Sequence, residues 1–338
     1  MRRIATTVAI VAAGVLVVGC ARNAKPGGSD GNGVIMRPVK PPPAVPPRVM
    51  TPVDFDLRQR AQSELTRSFA SSDPVLRANT VEATQRGLGP LASDRISLAL
   101  GDRDPLVRFA AAMAAGSAKL NELQPKLLGM LEDPDPSVQV GVRYALHQTG
   151  EHRYSHDLET LATNKDPHVR ANVVVALGLI GDPSALKILT VMEHDVDPAV
   201  RLQAIESEYR LGEEHALEKL VTGTISKYAD DQILCLMALS GRKDQRVSRV
   251  LEGKLTDDYP EVSLAAARSL GVLGSDAGMG VALKFATSNE ARQRGMAALA
   301  LGEIGRSDAQ PQLARLLTDR DPNVRIAAAS AILQLKPM

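Results

Sequence analysis

Three of the six histidines lie close together in the sequence, and clustered imidazoles are a candidate metal site. They are His147, His152 and His156. A zinc site needs three or four donors that converge on one point. However, Gly150 is expected to break the helix between the first two histidines, and no carboxylate is placed to share a metal with them. We therefore expect histidines on the surface or between structural units, and we predict no metal site and no cofactor.

The first of the two cysteines, Cys20, ends an amino-terminal segment that has a targeting pattern. Arg2 and Arg3 precede an apolar run of about fifteen residues, which is too short for an ordinary membrane span. The run closes with Leu-Val-Val-Gly-Cys, which resembles the lipobox of bacterial lipoprotein signal peptides. The alternative is a short membrane anchor with an incidental cysteine.

The lipobox resemblance implies that residues 1–19 are removed and that the thiol of Cys20 carries two or three acyl chains such as palmitate. Several chains hold a protein durably on a membrane, whereas a single chain does not. The predicted location is the bacterial cell envelope, on its periplasmic or extracytoplasmic side. Ala21 follows the cysteine, where an aspartate would signal retention at the inner membrane. The outer membrane is therefore favoured in a cell that has two.

Residues 20–53 contain the acylated cysteine and a linker rich in proline and glycine. Proline interrupts helices and sheets, so an extended tether is expected. The linker carries five basic residues and one acidic residue. This charge favours attraction to anionic lipid, although a simple spacer fits the sequence equally well. Residues 54–338 are predicted to form one repeat domain.

The dipeptide Asp-Pro recurs in this domain with a fixed period. It begins at Asp73, Asp104, Asp135, Asp166, Asp197 and Asp321, and the first five are spaced 31 residues apart. The interval between the last two is 124 residues, which is four further periods. The three intermediate positions hold Tyr228-Ala229, Tyr259-Pro260 and Glu290-Ala291. A period of this length indicates a solenoid, here of nine repeats.

Each repeat has the pattern of two short antiparallel helices. The aspartate is placed as the N-cap of the second helix, and proline is its first residue, where the missing N–H costs nothing. Apolar residues follow at helical spacing. A glycine ends the second helix at the same position in five repeats, as Gly150, Gly181, Gly212, Gly274 and Gly305. One helix pair cannot bury its apolar face alone, so neighbouring repeats must stack.

The repeat resembles the short HEAT-like repeats first described in phycobilin lyases, which have Asp-Pro-x-Val-Arg, an Ala-Leu-Gly step and a closing Ile-Gly. The segment from Asp166 to Asp182 matches this pattern almost completely, and the resemblance extends from about Asp54 to Leu335. It implies an all-α fold, a right-handed α-solenoid of about nine two-helix HEAT-like repeats. Such repeats occur in scaffolds, adaptors and a few enzymes, so the resemblance hardly constrains function.

The alternative function is that of an enzyme built on this fold. A HEAT-type di-iron hydroxylase binds its metals through His-Glu pairs. No histidine of this chain is followed by glutamate, and Glu193-His194 and Glu214-His215 have the reverse order. A phycobilin lyase-like activity has no residue to support it beyond the fold. The chain also offers no Ser/His/Asp set, phosphate-binding glycine loop or paired-carboxylate cleft, so we predict no catalytic residues and no enzymatic activity.

The repeat domain is mildly acidic. Residues 54–338 contain 33 basic and 38 acidic residues, a net charge of −5. This count leaves out the two arginines of the amino-terminal segment and the five basic and one acidic residue of the linker. Aromatic residues make up 3% of the chain, and tryptophan is absent. Nucleic-acid binding relies on basic surfaces and, for single strands, on aromatic stacking platforms. No nucleic-acid partner is therefore predicted.

Two further residue types receive structural interpretations. An arginine stands four residues after the capping position in six repeats, as Arg77, Arg108, Arg170, Arg201, Arg294 and Arg325. This column could bind anions, but we expect each arginine to pair with a capping aspartate of its own or an adjacent repeat. Cys235 lies in an apolar helical run without a positive neighbour, so a buried and inert thiol is predicted.

The predicted binding surface is a stripe at positions 3, 7, 10 and 14 of the repeats, where the capping residue is position 1. These positions share one face of the second helix, which we expect to be the concave face of the solenoid. The candidate partner-binding residues are Leu106, Met113, Tyr144, His168, Asn172, Val175 and Leu179. The alternative is that tight curvature buries them. We predict a non-catalytic scaffold that binds a protein or peptide in this groove.

Overall fold

The computed structural model describes residues 43–47 and 52–335. These residues form eighteen α-helices, and no strand occurs among them. The all-helical repeat fold predicted from the 31-residue period is confirmed. The predicted signal peptide, Cys20 and most of the linker lie outside the described residues.

The nine repeats each contribute a first and a second helix. The first helices are α1 (Phe55–Ser68), α3 (Ser93–Ala99), α5 (Gln124–Leu128), α7 (Leu158–Leu161), α9 (Leu186–Met192), α11 (Glu214–Gly223), α13 (Gln245–Gly253), α15 (Met279–Phe285) and α17 (Gln310–Leu316). The second helices are α2 (Pro74–Leu88), α4 (Pro105–Ser117), α6 (Pro136–Gln148), α8 (Pro167–Ile180), α10 (Pro198–Leu211), α12 (Ala229–Leu239), α14 (Pro260–Val272), α16 (Ala291–Ile304) and α18 (Pro322–Gln334). Among the described residues, no helix is both long and apolar enough to cross a membrane.

The predicted helix ends are present in the six Asp-Pro repeats. In each of them the aspartate side chain accepts a hydrogen bond from the backbone N–H two residues later. Proline occupies the first turn of the same helices. At the other end, Gly181 and Gly212 have φ angles of 79° and 104°, a conformation that residues with a Cβ rarely adopt.

Repeats six to eight lack the capping aspartate, yet their second helices start at the same position. Tyr228, Tyr259 and Glu290 stand there, and none of them makes a side-chain capping hydrogen bond. The apolar positions behind the cap are intact, as Leu239 and Leu301, for example, are fully buried. Packing of the second helix therefore sets its register without the cap.

The second helices form the inner layer of a closed ring. Each of them packs against the second helix of the next repeat, and α18 packs against both α1 and α2. Arg58 of α1 donates hydrogen bonds to the carbonyl oxygens of Leu333 and Leu335, at 3.0 and 3.1 Å. Across the same seam, Arg325 Nε lies 2.7 Å from Glu64 Oε1. The two ends of the solenoid therefore cover each other.

Ring closure was not predicted, because it depends on a small rotation per repeat that accumulates over nine repeats. The apolar residues of α1 share one core with those of α16 and α18. An open solenoid would need polar surfaces on its terminal repeats, whereas here both terminal faces are buried. The concave face of the predicted solenoid thus becomes the inside of a ring.

The end of the predicted linker lies against the last repeats. Arg306 Nη2 donates hydrogen bonds to the carbonyl oxygens of Pro46 and Pro47, at 3.2 and 3.1 Å. Gln310 Nε2 lies 2.7 Å from the carbonyl oxygen of Pro52. The chain therefore enters the ring beside the seam, next to α17.

Candidate functional site

The predicted binding stripe lies on the inside of the ring, and its middle is buried. The four central residues are at most 8% exposed, and they are Met113, Tyr144, Asn172 and Val175. The three residues nearer the helix ends are half-buried, and they are Leu106, His168 and Leu179. The expected exposed groove is therefore wrong for the four central residues, because the ring is closed and its inner helices are closely spaced. Contact of the stripe with a partner stays a prediction.

Tyr144 shows how close the inner helices are. A Cβ placed on Gly116 of α4 would lie 2.6 Å from the Tyr144 ring. The tyrosine hydroxyl lies 3.2 Å from Ser117 Oγ, also on α4. Burial raises the pKa of Tyr144, and the hydrogen bond with Ser117 opposes this effect. Tyr144 therefore holds α4 and α6 together, with its phenol neutral.

Polar side chains near the stripe make the inside of the ring hydrophilic at α8 and α10. Asn172 Nδ2 and Gln203 Oε1 are buried and have no hydrogen-bond partner among the described residues. Glu206 of α10 pairs with Arg210 at 2.8 Å. Buried polar atoms are normally satisfied by a partner or by water, so we expect water at this point of the ring.

An ionic cluster joins three inner helices on the other side of the ring. Arg86 of α2 pairs with Glu303 of α16, and Arg268 of α14 lies 3.7 Å from the same carboxylate. Burial raises the pKa of Glu82 on α2, while the guanidinium groups of Arg86 and Arg268 oppose this effect. Burial also lowers the pKa of Arg268 to about 10. Because breaking such a pair leaves a buried charge, this cluster has a structural role at the seam.

The arginine column pairs with a different aspartate from the one predicted. Four arginines each bind both oxygens of an aspartate 25 residues later, in the pairs Arg77–Asp102, Arg108–Asp133, Arg170–Asp195 and Arg294–Asp319. Each aspartate stands two residues before the capping aspartate of the next repeat. The expected pairing with the capping residue is wrong, because that carboxylate already accepts the N–H groups of its own helix.

The same arginine position makes a second contact in all nine repeats. The side chain at position 5 donates a hydrogen bond to the backbone carbonyl six residues earlier. Arginine does so in six repeats, and Gln139, Gln232 and Ser263 do so in the other three. This bond fixes the loop that precedes the second helix, whether or not the repeat has a carboxylate partner.

The loops that join first and second helices form one edge of the ring, which becomes apolar in repeats five to seven. We define the apolar edge as Val196, Ile225, Tyr228 and Tyr259, which are 89%, 75%, 57% and 48% exposed. Large apolar side chains exposed along one edge are candidates for an interaction surface, and tyrosine is enriched in protein interfaces. The sequence signal was the tyrosine in place of a capping aspartate at positions 228 and 259.

Charged groups surround the apolar edge. Asp230, Asp231 and Asp258 are exposed beside it, and Lys227 Nζ lies 5.0 Å from the centre of the Tyr228 ring. Asp230 also pairs with Arg292 of α16 at 3.0 Å. The edge therefore combines an apolar centre with a mainly acidic surround.

A second cluster lies between repeats five and six, on the side of the first helices. Glu193 follows α9, Glu208 belongs to α10 and His215 to α11, and one donor atom from each lies within 4.8 Å of the others. Lys219 Nζ lies 2.6 and 2.8 Å from the two oxygens of Glu193. Sequence reasoning noted Glu193 and the Glu214-His215 pair but missed the cluster, because Glu208 reaches it only through the fold.

The two carboxyl groups of this cluster have opposite pKa shifts. Burial raises the pKa of Glu208, and the neighbouring Glu193 adds to this effect. Burial also acts to raise the pKa of Glu193, but its hydrogen bonds with Glu208 and Lys219 outweigh it and lower the pKa. The two carboxyl groups differ in this way because only Glu193 has a lysine as a partner.

Comparison with known protein families identifies the family of this chain. The sequence profile of HEAT repeats matches residues 92–166, 125–207, 156–232 and 279–337. These segments together cover more than half of the chain. The chain belongs to the HEAT-repeat family. No curated protein sequence matches it.

Several solved structures resemble this HEAT-repeat chain. The complex of CpcE and CpcF of phycocyanin lyase from Nostoc sp. is 19% identical, with a TM-score of 0.45, over 74% of this chain and 97% of that one. Human deoxyhypusine hydroxylase in complex with glycerol is 19% identical, with a TM-score of 0.37, over 83% and 97%. An engineered protein is 18% identical, with a TM-score of 0.31, over 82% and 94%. At these identities the likeness concerns the fold.

The clustered histidines lie at the junction of the third and fourth HEAT repeats. The rings of His147 and His152 are 4.4 Å apart, edge to face. Burial lowers the pKa of His147, and the neighbouring His152 lowers it further. Among the described residues, these two and His156 do not supply three converging donor atoms.

Cys235, the cysteine within the HEAT repeats, is buried, as predicted. Cys235 lies in α12 and is 4% exposed. Burial raises the pKa of its thiol to about 12. Because the thiolate is the reactive form, this cysteine is inert at neutral pH.

Proposed function

We propose that this HEAT-repeat protein is a non-catalytic scaffold or adaptor, which is anchored to the bacterial cell envelope and binds a protein partner at its apolar edge. The observation that carries the proposal is the exposure of Tyr228 and Tyr259 at capping positions that hold an aspartate in six other repeats, beside the exposed Val196 and Ile225. In repeats six and seven, Tyr228 and Tyr259 replace an aspartate that would stabilise a helix. Loss of a local stabilising residue in favour of an exposed aromatic one is typical of a functional surface.

The chemistry of the edge indicates what it binds. Tyrosine offers a large apolar face and a hydroxyl group, and it is enriched among the residues that contribute most to binding. The exposed carboxylates of Asp230, Asp231 and Asp258 surround this apolar centre. A complementary protein segment would offer apolar side chains flanked by lysine or arginine, because opposite charges at the rim favour association and register.

The edge is a better candidate than the stripe predicted from the sequence. Of that stripe, Leu106, His168 and Leu179 remain partly accessible inside the ring. The central residues are packed between neighbouring inner helices, as Tyr144 is between α4 and α6, and would reach a partner only if these helices separated. In the proposed function, the stripe residues therefore hold the ring together, and the loops make the contact.

The binding surface is tested in the intact envelope with a photo-cross-linking amino acid at position 196 of the same edge, introduced into the otherwise wild-type protein and into each variant. We expect a defined cross-linked partner, and the Tyr228→Ala/Tyr259→Ala double variant should lose capture of that protein while it melts as the wild type does. Leu98→Ala is the matched control, since this residue is 78% exposed on α3. Equal capture by the double variant and the wild type would refute the edge.

The envelope anchor is proposed from Cys20 and the segment before it. The two arginines, the apolar run and the Gly-Cys junction support acylation and cleavage at this cysteine. Cys20→Ser should move the protein from the detergent phase to the aqueous phase in a partition experiment. Its melting temperature should not change. Quantitative partition of Cys20→Ser into detergent would overturn the anchor and leave the apolar edge untouched.

A further inference from the structure

Three side chains between repeats five and six are arranged like ligands around one point. His215 Nε2 lies 3.1 Å from Glu208 Oε2 and 3.6 Å from Glu193 Oε1. These three donor atoms all lie within 4.8 Å of one another. We propose that Glu193, Glu208 and His215 bind a divalent transition-metal cation of the Zn²⁺ type.

The ligands are held in place by helices and by a second layer of contacts. Glu208 lies within α10, and Thr190 Oγ1 at the end of α9 donates a hydrogen bond of 3.0 Å to Glu208 Oε1. This bond leaves Oε2 facing His215. Such outer contacts orient metal ligands and are common around metal sites. The cluster is therefore preorganised by α10, α11 and the residue that follows α9.

The charges of the cluster favour a cation. The Glu208 side chain is completely buried and that of Glu193 is 6% exposed, whereas the His215 side chain is 45% exposed. Two buried carboxylates side by side repel each other unless positive charge lies between them. Lys219 supplies one positive charge to Glu193 from the outside. Both oxygens of Glu193 accept hydrogen bonds from Lys219, so a cation that enters past the exposed imidazole would replace this ammonium group at the oxygen that faces His215.

The type of donor atom selects the class of metal. Two carboxylates and one imidazole are a suitable set for Zn²⁺, which often has three protein ligands and one open position for water. Calcium and magnesium prefer oxygen ligands alone, and more of them. The fourth position would face solvent beside His215.

A metal here would join two repeats whose inner helices pack less closely than those of the other junctions. The inner helices α10 and α12 touch less than any other neighbouring pair of the ring. Arg201 also lacks the aspartate that most other arginines of the column bind, because Ser226 stands 25 residues later. A cation bound by Glu193, Glu208 and His215 would tie α9 and α10 of repeat five to α11 of repeat six.

The test is a Zn²⁺ titration of the purified full-length protein after treatment with a chelator. We expect one saturable site per chain, and Co²⁺ in its place should give the visible absorption of a four- or five-coordinate ion. His215→Ala should weaken Zn²⁺ binding at least tenfold and remove the Co²⁺ spectrum. His194→Ala is the matched control, because its exposed ring contacts the backbone oxygen of Thr190 instead of the cluster.

A second variant separates loss of the site from loss of the fold. Glu208→Gln keeps the shape of the buried side chain, so it should melt like the metal-free wild type. Zn²⁺ should raise the melting temperature of the wild type and leave that of Glu208→Gln unchanged. Absence of saturable Zn²⁺ binding by the wild type would overturn the proposal. So would Zn²⁺ binding that survives His215→Ala but is lost in His152→Ala, since that result would place the metal at the other histidine cluster. The proposed apolar edge is unaffected by either result.

Discussion

Repeats one to five and repeats six and seven build the same helix pair from different loops. In the former, an aspartate caps the second helix, as Asp166 does in repeat four. In the latter, Tyr228 and Tyr259 stand at the capping position with extended backbones and no capping bond. Yet the second helix starts in register in both regions, and the side chain at position 5 reaches the same carbonyl oxygen. The capping hydrogen bond is therefore not required for the second helix to form in register.

The difference shows which positions are free to serve another purpose. Burial of the inner helices exceeds any capping contribution, since a cap contributes about 1 kcal/mol and a single large buried side chain contributes about 2 kcal/mol. A ring of nine packed repeats can lack three caps and keep its fold. Two of the capping positions released in this way, Tyr228 and Tyr259, belong to the apolar edge.

The largest effect is expected from charges placed in the core, and it should be equal in the two regions. Val169 and Val262 occupy position 4 in repeats four and seven and are 3% and 0% exposed. Substitution of either by Asp buries an unpaired charge and should cost about 3 to 5 kcal/mol of unfolding free energy. Chemical denaturation measures both. Lys187→Glu on the outside of the ring is the control and should change little. A tolerated Val262→Asp would mean that the uncapped repeats are packed differently.

The second prediction compares two tyrosines. Tyr144 is 3% exposed between α4 and α6, whereas Tyr228 is 57% exposed. Tyr144→Ala should lose about 3 kcal/mol, since it leaves a cavity, and Tyr228→Ala should stay within about 0.5 kcal/mol of the wild type. Thermal melts of both variants decide it. If Tyr144→Ala melts like the wild type, Tyr144 is not packed in the core, and the prediction of an open groove on the inner face would be correct.

Much of this architecture was accessible from the sequence because it is local. The 31-residue period, the caps and glycines such as Gly181 depend on contacts within a single repeat. Contacts that span repeats were not accessible. The carboxylate partner of Arg170 is 25 residues away, and ring closure brings Glu64 to Arg325, which is 261 residues distant. The burial of Tyr144 and the position of Glu208 follow from that packing, which the repeat pattern does not encode.

The third prediction concerns the arginine column. Arg170 binds both oxygens of Asp195, at 2.7 Å each, whereas Arg201 has Ser226 at the corresponding position. Arg170→Gln should cost about 1.5 kcal/mol, because charged hydrogen bonds are lost while the backbone contact can remain. Arg201→Gln should cost less than about 0.5 kcal/mol, as glutamine makes the same backbone contact in repeats three and six. Equal losses would mean that the carboxylate pair contributes nothing.

The contribution of this pair should also depend on pH. The hydrogen bonds from Arg170 are the main cause that lowers the pKa of Asp195 below its usual 3.8. A carboxyl group with a lowered folded pKa stabilises the protein above its unfolded pKa, and the contribution is lost as the pH falls through the folded value. The difference in unfolding free energy between the wild type and Arg170→Gln should therefore be constant above about pH 5 and shrink below pH 3.8. A difference that grows as the pH falls would contradict the assigned sign.

The smallest effect is expected from restoring a cap, and it links stability to function. Tyr259 already has the backbone of a capping residue, with φ −91° and ψ 115°, and Pro260 follows it. Tyr259→Asp would recreate the Asp-Pro pair of repeat two, where Asp104 is likewise preceded by an aspartate two residues earlier. The new carboxylate could accept the N–H of Glu261 and should stabilise the protein by about 0.5 kcal/mol. This is less than a full cap because Asp257 and Asp258 lie beside it.

The same variant removes an exposed aromatic ring from the apolar edge, so it should capture less partner while it melts slightly higher. Tyr259→Phe separates the two effects, because it keeps the ring and cannot cap, and it should bind and melt like the wild type. If Tyr259→Asp is less stable than the wild type, the tyrosine packs within the repeat, and its exposure has no functional reason.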